Sequence, residues 1–143
     1  MTAYRRILAA IDLTPGSLPV AARACEIARA DQAVLHLLHV VEVVALEPMG
    51  ESLGPVMQID LQMTTRAQKQ MEKLLHELGL PPDAGHIESG SVQSEILRYA
   101  RTFNSDLIVL GGRERHGLSI LLHRTEDSVL HGAPCDVLAV RVR

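Results

Sequence analysis

Apolar and polar positions alternate between two rhythms along this chain. Residues 6–11 (RILAAI) form a short apolar run that stops at the turn cluster Asp12-Leu13-Thr14-Pro15-Gly16. From Ser17 onward Val20, Ala21, Ala24, Ile27 and Ala28 recur at helical spacing, and Asp31-Gln32 breaks the pattern. Residues 33–44 (AVLHLLHVVEVV) are Leu-rich and β-branched and predict a strand. Pro48, Gly50, Gly54 and Pro55 mark residues 45–56 as a loop. A second helix is expected over residues 58–78, with Ala67, Met71, Leu74 and Leu78 as its apolar stripe. Gly79 supplies its C-terminal cap and Pro81-Pro82 prevents continuation.

The same rhythms continue to the C-terminus. Residues 86–88 read as a short, weak strand, and Ser91 as the N-cap of a helix whose Val92, Ile96, Ala100 and Phe103 share a face. In residues 106–111 (DLIVLG) four apolar side chains follow one another without alternation, the mark of a strand covered on both faces. A charged, glycine-containing loop over 112–117 leads to a fourth helix over 118–131, with Leu118, Leu121, Leu122 and Val129 inward. Gly132 and Pro134 close it, and residues 136–142 (DVLAVRV) form a last strand. Strand and helix alternate throughout, which predicts an α/β fold: an open parallel five-stranded sheet in three layers, helices on both faces, one domain over residues 1–143.

Composition narrows the function classes. The chain has 143 residues, enough for one well-buried core. Aromatics are 2% of it, so the core must be aliphatic, and stacking platforms for single-stranded nucleic acid are not expected. A net charge of −3 does not suit a phosphate-backbone binder. No apolar run reaches the roughly 18–20 residues that span a bilayer, and the first residues do not read as a signal peptide. Cys25 and Cys135 have no CxxC spacing, so a reduced, cytoplasmic protein is expected, each thiol serving as a small buried hydrophobe.

In open parallel sheets ligands bind beyond the carboxyl ends of the strands, where strand order reverses. Two strand ends carry suitable chemistry. Asp12 follows the first strand and could accept from a ribose or a base amine, or it could simply close an Asx-turn over Thr14-Pro15-Gly16. Gly111 and Gly112 end the fourth strand, where bare backbone could approach a phosphate in front of a helix N-terminus. The alternative there is a tight strand-to-helix turn with Arg113, Arg115 and His116 as an exposed charged tip. Asp12 and Gly111 face each other only if the first and fourth strands are neighbours.

The stretches RRILAAIDLTPGS, LLHVVE, DLIVLGGRERHGLSILL and VLHGAPCDVLAVR, in that order, resemble the universal stress protein family over essentially the whole chain. The resemblance implies strand order 3-2-1-4-5, a stress-response role, and a homodimer joined through the last strand. It also implies a loop of the form G-x2-G-x8/9-G-[ST] in members that bind ATP. Gly111 matches the first glycine, but the second falls on Glu114, the third on His123 or Arg124, and the hydroxyl on Arg124 or Thr125. A carboxylate at Glu114, ~4–6 Å from a triphosphate, costs roughly 1–4 kcal/mol. Arg124 and His123 offset part of this as phosphate donors without restoring glycine backbone. The positions that still match are Asp12, Val40, Gly111, Arg113 and Thr125. Two readings stay open: a dimeric regulator that works through contacts with other proteins, and a switch that binds ATP or AMP in the Asp12/Gly111 crevice, with at most slow hydrolysis.

Other chemistries find little support. His36 and His39 point to opposite faces of one strand, and His76, His86 and His131 lack companions at metal-ligand spacing. There is no G-x-S-x-G elbow, no P-loop, and no G-x-G-x-x-G after the first strand. No catalytic residue is assigned. The last strand alternates weakly, with Leu138, Val140 and Val142 on one side. At a sheet edge it would pair antiparallel with its copy in a second chain, or stand guarded by Arg141 and Arg143 in a monomer.

Overall fold

The computed structural model describes residues 2–42, 54–113 and 123–142, with side chains over 2–42, 61–112 and 127–142. The elements run β1 (Arg6–Ala10), α1 (Ser17–Asp31), β2 (Val34–Glu42), α2 (Gly54–Leu78), β3 (Gly85–Gly90), α3 (Val92–Phe103), β4 (Leu107–Arg113), α4 (His123–Gly132) and β5 (Asp136–Val142), with a 3-10 turn at Pro82–Ala84 before β3. The five strands form one sheet in the order β3-β2-β1-β4-β5, every pair parallel. This is the expected architecture.

Each sheet face has its own core. Ile7, Ala9, Leu35, Leu37, Leu107 and Val109 lie beneath α1 and α2, against Val20, Ala24, Met71 and Leu74. Leu8, Leu38, Val40, Ile108 and Leu110 lie beneath α3 and α4, against Ile96, Leu97, Phe103 and Val129. Successive residues of one strand thus enter opposite layers, which is why β1, β2 and β4 read as unbroken apolar runs. Ile7, Leu8, Leu37, Leu38, Ile108 and Val109 are fully buried. Each such side chain contributes about 1.5–3 kcal/mol.

Element ends differ from the sequence expectation where backbone geometry overrides composition. Helix α2 begins at Gly54 rather than residue 58, because Pro55 falls in its first turn, where a missing N–H costs nothing. Of the expected loop over 45–56, residues 45–53 lie outside the described residues and 54–56 are helical. Strand β3 is longer than 86–88, since β2 pairs with it from Leu37↔Gly85 to Glu42↔Gly90. Ser91 does hold the N-cap position of α3, but its side chain makes no capping hydrogen bond. The expected start of the fourth helix at residue 118 lies outside the described residues; α4 is described from His123.

At their N-terminal ends β1 and β4 are pinned together. The Asp106 carboxylate accepts from the Arg5 and Arg6 backbone N–H groups at 2.7 and 3.0 Å. The Asp106 N–H donates to the Arg6 carbonyl at 2.9 Å. Pairing of the two strands then runs from Ile7↔Leu107 to Ala9↔Val109 and stops.

Candidate functional site

The sheet order reverses between β1 and β4: β2 and β3 follow on one side of β1, β4 and β5 on the other. A crevice at the C-terminal ends of these two neighbours is therefore where this architecture receives ligands. Beyond Ala9 β1 leaves β4 and stays bonded to β2 as far as Ile11, whereas β4 continues to Arg113 paired only with β5.

Asp12 stands at the β1 side of the crevice and closes an Asx-turn. Its Oδ1 accepts from the Thr14 N–H at 3.0 Å and from the Thr14 hydroxyl at 2.6 Å. Between them Leu13 takes the left-handed conformation, φ 59°, a costly state for a non-glycine residue. The turn feeds α1 through the Thr14 carbonyl, which accepts from both the N–H and the hydroxyl of Ser17, at 2.9 and 2.6 Å.

One residue of this site escaped sequence reasoning. His39 Nδ1 lies 2.8 Å from the Ile11 carbonyl oxygen. A carbonyl only accepts, so Nδ1 carries the proton, and the ring ties β2 to the last residue before Asp12. The signal was present in the strand register, since Ile11 continues the β1–β2 ladder by donating to the Leu38 carbonyl at 2.9 Å.

Gly111 lies in β4 as expected, and Gly112 lies there too rather than in the loop expected over 112–117, because β5 pairs with both as Gly111↔Val140 and Gly112↔Arg141. The missing side chain at Gly111 has a packing cause: a Cβ there would come within 3.2 Å of Val20 Cγ2 and 3.3 Å of Val142 Cγ2. Val40 is buried in the layer beneath α3 and α4, two residues before β2 ends, and pairs with Glu88 of β3. Arg113 closes β4, and His123, Arg124 and Thr125 open α4; their side chains lie outside the described residues, as do Glu114, Arg115, His116 and Gly117 altogether.

Two further expectations meet the structure here. His36 and His39 do occupy opposite faces of β2, one against α3, the other toward β1. His86, by contrast, has a companion: its ring centroid is 4.6 Å from that of His36. Among the described residues no three His, Cys, Asp or Glu side chains converge as metal ligands. Burial pushes the thiol pKa of Cys25 upward, and burial followed by Asp136 and Asp106 does the same for Cys135.

The pattern of the Universal stress protein family matches residues 3–141. The chain is 40% identical over 139 residues to Universal stress protein A homolog 1 of Coxiella burnetii, covering 96% of each. Its fold is similar to that of universal stress protein UspA from Lactobacillus plantarum, with a TM-score of 0.78, 27% identity and full coverage of both chains. A universal stress protein solved in complex with cAMP shares the fold at a TM-score of 0.69 and 17% identity, covering 99% of each chain.

Proposed function

The chain belongs to the universal stress protein family, and from that premise we propose that it works as a homodimeric, cytoplasmic stress-response regulator through contacts with other proteins, its β1–β4 crevice no longer built for a triphosphate. The observation that carries this reading is Gly111. Val20 and Val142 close in on the position its Cβ would take, so packing accounts for the one motif glycine that survives. The sequence adds Glu114 where the family motif has its second glycine and His123 or Arg124 where it has its third.

The dimer is supported by β5. It forms one edge of the sheet, bonded to β4 alone, and every residue from Asp136 to Val142 keeps some exposure, Leu138 as much as 36%. An apolar, half-covered edge strand is a template for another strand, and two-fold symmetry makes that contact self-complementary. Two free thiols placed on different sheet faces suit the cytoplasm. Among the described residues no helix is long and apolar enough to cross a membrane.

A second reading has its own support. The Asp12 turn is already formed and tied down by His39, and a protein of the same fold has been solved with cAMP. In that reading an adenine nucleotide, ATP or AMP, occupies the crevice against Asp12, Val40, Gly111, Arg113 and Thr125. Thermal unfolding with millimolar ATP and Mg²⁺, AMP, or cAMP separates the two. A ligand at 100 times its Kd adds about 2.7 kcal/mol, a shift of several degrees. No shift with any of them supports the first reading; a shift that Asp12→Ala removes establishes the second.

A further inference from the structure

Away from the crevice, four rings gather at one corner of the α3 face. His36 of β2 stacks on Phe103 of α3, with centroids 3.9 Å apart and planes 10° from parallel. His36 Nδ1 shares a 2.9 Å hydrogen bond with the Tyr99 hydroxyl of α3. His86 of β3 lies 4.6 Å from His36 and 5.1 Å from Tyr99, centroid to centroid. The Arg6 guanidinium of β1 sits 4.7 Å from the centre of the Phe103 ring. Three strands and one helix therefore meet on two imidazoles.

We propose that His36, packed between His86, Tyr99 and Phe103, is an acid-sensitive latch that holds edge strand β3 to β2 and α3 while its ring is neutral and loosens that edge when His36 takes up a proton in mildly acidic conditions.

The charges around the pair all bear on this. From β1 comes Arg6, already a cation. From β3 come His86 itself and Glu88. From α3 come Tyr99 and Arg98, and from the turn before β3 comes Asp83, the one carboxylate that favours a charge on His36. Glu88 is taken up by Arg98, 3.4 Å away, which also bonds Glu95 at 2.7 Å. Burial is the largest influence on His36 and lowers its pKa, with His86 and then Arg6 pushing the same way. His86 Nε2 is buried with no hydrogen-bond partner among the described residues, so whatever it carries, proton or lone pair, goes unmatched. A proton on His36 turns both its ring nitrogens into donors. Tyr99 must then accept at Nδ1 and can no longer donate its hydroxyl proton there.

The direction follows from linkage. An imidazole released to water protonates near its ordinary pKa of about 6.5, whereas His36 in the closed latch resists. The open form binds the extra proton, so opening gains about tenfold for each pH unit below 6.5 and each proton withheld, until the closed form also protonates. The closed latch is complete above that pH and is lost as pH falls.

Amide hydrogen exchange, corrected for the intrinsic pH dependence, reads this directly. Between pH 7.5 and 5.5 the protection of β3 amides should fall about tenfold further than that of β4 amides. The extra loss should vanish in H36Q/H86Q and in the milder H36Q, and persist in H76Q, which changes an exposed histidine on α2. Equal loss in β3 and β4 of the unaltered protein overturns the latch, and so does an extra loss that survives both glutamine variants. The unaltered protein decides the matter alone if the double variant does not fold.

Discussion

Gly85 and Gly111 both sit in strands and lack a side chain for related but unequal reasons. A Cβ on Gly85 would meet Met71 Cγ at 2.6 Å and Leu75 Cδ1 at 2.8 Å, where α2 lies directly on β3. Gly85→Ala overpacks that contact and should cost about 1–3 kcal/mol, read as a midpoint shift in urea with an unchanged slope. At Gly111 the intruding distances are 3.2 and 3.3 Å, to two methyl groups that have only to give a little. Gly111→Ala should lower stability by less than about 1 kcal/mol. It also bears on function, because a crevice that binds nucleotide through bare backbone would lose its thermal shift in this variant while keeping its fold. Leu13, held at φ 59° beside Asp12, is a strained residue of the same crevice, and strain of this kind gathers where a turn is fixed by its surroundings.

At the scale of elements, helix ends tell the most. Both α1 and α3 close on a non-glycine residue in the left-handed conformation, Gln32 at φ 56° and Asn104 at φ 56°, each donating its N–H back into the last turn. Asparagine tolerates that conformation better than glutamine. Gln32→Gly should therefore raise stability by about 0.5–1 kcal/mol and Asn104→Gly by less, a ranking that thermal melts of the two variants check. Sequence reasoning read the interiors of these elements well and their margins less well. Residues 107–110 announce β4 because burial on both faces leaves no polar position to confuse the pattern. Strand β3 was barely visible because GHIESG lies at a sheet edge, where one side chain after another is only half covered. The adjacency of β1 and β4, on which the expected Asp12/Gly111 crevice depends, was legible from the alternation of elements and the family resemblance, and the sheet order bears it out. The meeting of His36 with His86 could not be read, because it depends on the offset Leu38↔His86 between two strands separated in sequence by α2.

At the scale of the whole molecule, the two edges of the sheet differ in kind. The β5 edge is apolar and half exposed; the β3 edge is polar and closed over by α3 through rings and the Arg98–Glu88 pair. The proposed dimer uses the first. Leu138→Arg should convert a dimer to a species of one chain mass, 15.6 kDa, in sedimentation equilibrium, with its circular dichroism unchanged; an unaltered mass would place the contact elsewhere. The two layers beneath and above the sheet also hold one cysteine each, Cys25 in the layer of α1 and α2, and Cys135 against the layer of α3 and α4. Both thiols are held protonated by burial, Cys25 the more enclosed of the two, and only the thiolate reacts. An alkylating reagent followed by mass spectrometry should accordingly mark Cys135 first and Cys25 last, so that the native chain carries its own pair of clocks, one timing the opening of each side of the sheet.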